Sequence, residues 1–121
     1  MTPEGRVKKK VKEIIAAYRP HVYSHWPVMN GMGSPTLDCN GSADGEAFSV
    51  ETKMAGARLT PRQILTVQDM QAGGVTVFVI IGQDEMVLAE FDAWLHERVM
   101  RRIAKITLLD MKGGRKKYDP R

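Results

Sequence analysis

The stretch Ala47-Phe48-Ser49-Val50-Glu51-Thr52-Lys53 governs the fold and the chemistry expected of this chain. Alternation at period two sends Phe48, Val50 and Thr52 to one face of a strand, and Ala47, Ser49, Glu51 and Lys53 to the other. A carboxylate and an ammonium therefore project side by side from the end of a strand whose other face is apolar. Such a pair on a sheet edge is common as plain surface, so its neighbours must decide whether it carries chemistry.

The nearest neighbour lies upstream. Thr36–Cys39 is expected to form a short strand and Asn40–Glu46 a turn rich in Gly, Asp and Asn, which makes 36–53 a β-hairpin. Asp38 then faces Glu51 across the ladder, where opposed Cβ atoms lie ~5 Å apart. Two carboxylates that close repel unless a cation sits between them. Two acids, with a backbone carbonyl as a further oxygen, suit Mg²⁺, or Mn²⁺ in its place. Lys53 beside them could orient an attacking water and offset charge growing on a phosphate. Acid, acid and lysine is the set a metal-assisted phosphodiesterase needs.

Two more residues join as candidates. Thr2, Pro3 and the spacing of Val7, Val11, Ile14, Ile15 and Tyr18 predict a helix over 2–18, ended by Pro20. Glu4 falls within its apolar sector, where an unpaired acid is costly. It either answers the positive end of the helix dipole or reaches the metal site. Thr60-Pro61-Arg62-Gln63 is a capping box opening a helix at about 61–72, which Gly73-Gly74 stops. Gln63 serves that cap or turns its carboxamide to the acids, and both roles stay open here.

Val75–Ile81 is an unbroken apolar, β-branched run, the pattern of a strand buried on both faces. The 61–72 helix can act as the crossover that places it beside the Glu51 strand. Residues 86–91 suggest a further strand. Asp92 is placed to cap a last helix carrying Leu95, Val99, Ile103 and Ile106, whose apolar stripe serves either the core or a partner. The order describes an α/β domain with a mixed sheet flanked by helices. One domain over 1–112 and a basic, flexible tail over 113–121 are expected, with a second flexible stretch at Asn30-Gly31-Met32-Gly33.

Other features carry less. His21 and His25 have the spacing of a helical zinc pair, but Pro20 and Pro27 make that helix short and no acidic or cysteine partner lies nearby. Cys39 should turn away from Asp38 into the core, and a lone cysteine forms no internal disulfide. No apolar run approaches the ~20 residues of a membrane span, and the charged start is no signal peptide, so a cytoplasmic location is expected. The net charge of +4 alone does not assign a polyanionic partner. The basic clusters 8–12, 98–105 and 115–117 are its natural docking points.

Taken in order, Gly33-Ser34-Pro35-Thr36-Leu37-Asp38, Val50-Glu51-Thr52-Lys53, Leu59-Thr60-Pro61-Arg62-Gln63 and Gly73-Gly74-Val75-Thr76-Val77-Phe78-Val79-Ile80 resemble the VRR-NUC (virus-type replication-repair nuclease) group of the PD-(D/E)XK superfamily, particularly small stand-alone phage and bacterial members. The resemblance runs from Glu4 to about Ile81. It implies a restriction-endonuclease-like αβββαβ core. It also implies a divalent-metal endonuclease, often a homodimer, acting on branched or junction DNA in replication, repair or recombination, in a bacterial or phage-infected cell. By the same resemblance Asp38 and Glu51 are metal ligands with the Thr52 carbonyl as a third, and Lys53 is the catalytic lysine. Gln63 is the glutamine of the following helix, and Glu4 the N-terminal acid. Pro35 precedes Asp38 by three residues rather than one, so the first motif is stretched. Asp44 is the other acid that could fill it, although Ser42-Ala43-Asp44-Gly45 suits a turn. The rival functions are a non-catalytic nucleic-acid-binding module and an interaction protein that holds only a stabilising ion.

Overall fold

The computed structural model describes residues 1–28 and 35–113. The stretch at 30–33, the first two residues of the 33–38 motif and the tail beyond 113 lie outside them. In chain order the elements are α1 (Pro3–Ala16), β1 (Val22–His25), β2 (Cys39–Ala43), β3 (Glu46–Lys53), α2 (Pro61–Ala72), β4 (Thr76–Ile81) and α3 (Glu85–Met111). The four strands form one sheet in the order β1-β2-β3-β4. The first three are antiparallel, and β4 runs parallel to β3 with Glu51 beside Val79 and Lys53 beside Ile81. The return to parallel pairing requires a crossover, and α2 supplies it.

Alternation along β3 sets the two layers. Phe48 and Val50 join Phe78 and Ile80 of β4 beneath Val7, Val11 and Ile15 of α1 and Leu88, Phe91 and Leu95 of α3. Phe48, Phe78, Phe91 and Trp94 meet there at ring separations of 5.0 to 5.9 Å. Each such ring is worth about 3–5 kcal/mol against truncation to alanine. Ser49 and Glu51 point to the opposite face, towards α2, and both are buried. The strand is therefore covered on both sides, more than simple alternation suggests.

Three boundaries differ from expectation. The hairpin turn is only Asp44-Gly45, both at positive φ, between paired Ala43 and Glu46. Asn40 and Gly41 belong to the strand. Gly41 is there for close packing: a Cβ would stand 2.2 Å from the Tyr23 carbonyl oxygen and 2.6 Å from the Phe48 ring. Residues 86–91 are helical, because Asp84 rather than Asp92 caps α3, accepting from the Met86 and Val87 N–H groups. Leu88, Phe91, Leu95 and Val99 then form one buried helical stripe. Asp92 sits inside the helix and accepts a short hydrogen bond from the Tyr18 hydroxyl. Burial, with that carboxylate, raises the Tyr18 pKa to about 12. Finally, Asp38 precedes β2 rather than lying within a strand.

Candidate active site

The last β2–β3 pair is Cys39 with Val50, so the next residues outward are Asp38 and Glu51. Cys39 turns into the core, where burial pushes its thiol up to about 12, and the Asp38 side chain reaches Thr52 of β3 and Lys8 of α1. Instead of continuing the ladder, the two acids bind each other's strand. The Asp38 N–H donates to Glu51 Oε1 at 3.2 Å. Asp38 Oδ2 accepts from both the Thr52 N–H and the Thr52 hydroxyl, each at 2.8 Å. Thr52, fully buried, thus uses two donors to fix one oxygen of Asp38.

Glu51 is only 3% exposed. Its pKa is raised from 4.5 to about 7, first by burial and then by the Asp38 charge, with Lys53 acting in the opposite direction. Gln63 fixes its second oxygen. The capping box is complete: the Thr60 hydroxyl accepts from the Gln63 N–H, and Gln63 Oε1 accepts from the Thr60 N–H at 2.9 Å. Because that backbone partner can only donate, the amide oxygen must face it. Nε2 is left pointing at Glu51 Oε2, to which it donates at 2.9 Å. Gln63 therefore performs both roles at once, cap through its oxygen and site contact through its nitrogen.

The cations stand slightly back. Lys53 Nζ lies 3.8 Å from Glu51 Oε2, with its side chain 15% exposed. Lys8 Nζ lies 3.8 Å from Asp38 Oδ1. Neither is within hydrogen-bond distance. Two carboxylates are thus packed together on neutral donors while their cations remain at 3.8 Å, beyond hydrogen-bond reach. Hard oxygens in that state fit Mg²⁺ or Mn²⁺. Among the described residues no third acid, histidine or cysteine completes a cluster with them, so the remaining positions on such an ion would fall to water, a carbonyl or a phosphate.

The structure thus brings Asp38, Glu51, Thr52, Lys53 and Gln63 together. Glu4 is not among them; it is half-buried in the first turn of α1 and makes none of these interactions. One turn further along α1, Lys8 reaches Asp38 instead. The sequence signal for it was only its position four residues after Glu4, on the edge of the apolar stripe. Asp44 lies at the far end of the hairpin, where Lys105 Nζ donates to it at 2.7 Å.

No protein-family model and no curated protein matches the sequence. Among solved structures, one described as a VRR_NUC domain matches with a TM-score of 0.58 and 25% identity, over 72% of this chain and 91% of that one. The fold is that of a VRR_NUC domain. A Holliday junction resolvase, Hjc from Archaeoglobus fulgidus, also matches, at a TM-score of 0.45 and 13% identity over 61% of this chain and 64% of its own. Against the VRR_NUC-type fold, the expected mixed sheet with flanking helices holds in full. The long α3 follows the αβββαβ core as a seventh element.

Proposed function

We propose that this chain is a divalent-metal-dependent endonuclease that hydrolyses phosphodiester bonds in DNA, with branched or junction DNA as its substrate class. One observation carries the reading: Asp38 and Glu51 are held together by dedicated donors while Lys53 and Lys8 stay 3.8 Å away. A purely structural acid pair would be expected to close onto those cations. Similarity to a VRR_NUC domain supports the same reaction class.

In this reading Asp38, Glu51 and the Thr52 carbonyl hold Mg²⁺ or Mn²⁺. When bound, the ion would polarise the phosphoryl oxygen and lower the pKa of water. The chain's own contribution is positional and electrostatic. Thr52 and Gln63 fix one oxygen of each carboxylate. Lys53 Nζ, on a side chain 15% exposed, would hold the attacking water or offset charge growing on the phosphate. Glu4 stays outside this set, since α1 presents Lys8 to Asp38. A homodimer is part of the proposal. At about 1.5 Å per residue the 27-residue α3 spans roughly 40 Å, beyond what a short sheet can cover, and Met100, Leu108, Leu109 and Met111 are left exposed near its end. Light scattering of the purified protein checks that element.

The test of the reaction uses labelled duplex, nicked, flap and four-way-junction DNA with Mg²⁺ or Mn²⁺. Wild type should cut, and Lys53→Ala should lose about 10²–10³-fold in rate, as when one preorganised donor is removed. If wild type cuts none of these, or Lys53→Ala cuts as well, the nuclease reading is wrong. Salt-dependent binding without cleavage would favour the non-catalytic module.

A further inference from the structure

Several basic residues of this chain differ in their partners in a way that the sequence does not show. On α3, Arg98 and Arg101 bind Glu46 at 3.3 and 3.0 Å, and Lys105 binds Asp44 at 2.7 Å. Those cations already have anionic partners. On α1 and the turn after it, Lys12 and Arg19 are exposed and form no ion pair among the described residues. Lys12 Nζ lies instead 4.8 Å from the centre of the Trp26 ring, an attraction that orients an ammonium without neutralising it. Lys12 and Arg19 share a cleft of about 210 Å³ with Ser24 and Trp26, floored by Ile15 and Val22. Lys8 and Lys12 are four residues apart, hence neighbours on one side of the helix, and Lys8 ends at Asp38. The row runs from the cleft straight to the acids.

We propose that this row, Arg19–Lys12–Lys8 with Trp26, is the track along which one nucleic-acid strand enters the site, its phosphates on the cations. The inference rests on the nuclease reading above and adds the surface and direction of the strand. An acidic partner is favoured because the cleft is lined by two cations and no carboxylate. A strand is favoured over an acidic protein because the row leads to a site suited to phosphodiester chemistry.

The test is the salt dependence of binding to a labelled DNA duplex in EDTA, where no cutting occurs. The Lys12→Ala/Arg19→Ala variant should flatten the slope of log affinity against log salt by about 1.8, at ~0.9 for each phosphate no longer neutralised. The charge-reversed pair Lys12→Glu/Arg19→Glu should weaken binding further. Arg101→Ala/Lys105→Ala should leave the slope as in wild type, with thermal melting used to confirm that all variants fold. An unchanged slope in the α1 variants, or an equal loss in the α3 variant, overturns the track while leaving the nuclease reading intact. Failure of wild type to bind any DNA overturns both. Binding to polyglutamate but not DNA overturns the track in favour of an acidic protein partner.

Discussion

The β2–β3 hairpin carries a pair of acids at each end, and their surroundings differ in kind. At the turn, Asp44 and Glu46 touch Lys105, Arg98 and Arg101 at 2.7 to 3.3 Å; Glu46 and Arg101 are half exposed and Lys105 more so, while the Asp44 carboxylate is itself covered. The Lys105 hydrogen bond holds the Asp44 carboxyl below its usual range. At the open end, Asp38 and Glu51 are bound by amide and hydroxyl donors, their cations stand off at 3.8 Å, and Glu51 is pushed up to about 7. The turn end has closed its charge balance and works as a clamp onto α3. At the other end the two acids are bound by neutral donors and meet their cations only at 3.8 Å, the feature on which the proposed metal site rests.

The sharpest way to break that comparison is to add the ion. Mg²⁺ or Mn²⁺ at a thousandfold its dissociation constant should stabilise the fold by about 4 kcal/mol. The gain should vanish in Asp38→Asn and persist in Asp44→Asn, as read by denaturant unfolding. Loss of the gain in both, or in neither, would erase the distinction between the ends.

Next in size is the pH dependence without metal. Glu51 has a higher pKa folded than unfolded, so the folded state binds its proton more tightly. Its stabilising contribution is complete below about 4.5 and is lost as pH rises through about 7. At pH 8, Glu51→Gln should therefore recover only part of that loss, because its amide NH2 must face one of the two donors that Glu51 accepts, and its stability should vary less between pH 5 and 8. Asp44 works in the opposite sense. Its lowered pKa contributes stability above the ordinary carboxyl range that is lost as pH falls through the folded value, so Asp44→Asn should blunt acid denaturation only.

Smaller effects separate the roles of single groups. Gln63→Ala should cost about 1 kcal/mol, in the range of a lost helix cap. Thr60→Ala should cost a similar amount. Only Gln63→Ala removes the donor from Glu51, so only it should also shift the metal titration. Glu46→Gln, at a largely solvated ion-pair network, should cost less than about 1 kcal/mol.

Much of this was legible from residue type and spacing. Alternation placed Glu51 and Lys53 on one face of β3, and the apolar run at 75–81 marked the parallel strand beside it. Gly41 misled because it looks like turn chemistry, whereas a strand glycine packed against Phe48 leaves the same trace in sequence. The start of α3 was hidden because both Asp84 and Asp92 are able caps; the choice depends on which face Leu88 and Phe91 must bury. Gln63 could not be assigned from sequence, because its cap role and its hydrogen bond to Glu51 use opposite ends of one amide. The open state of the acid pair was invisible too, since the stand-off of Lys8 and Lys53 is a property of tertiary packing.

DNA cleavage with Mg²⁺ measures the contrast between the two hairpin ends directly when wild type, Glu51→Gln and Glu46→Gln are assayed side by side. Wild type and Glu46→Gln should cut at comparable rates, and Glu51→Gln should not cut detectably. Equal cutting by Glu51→Gln, or no cutting by any of the three, would contradict the assignment of the Asp38–Glu51 end as the active site.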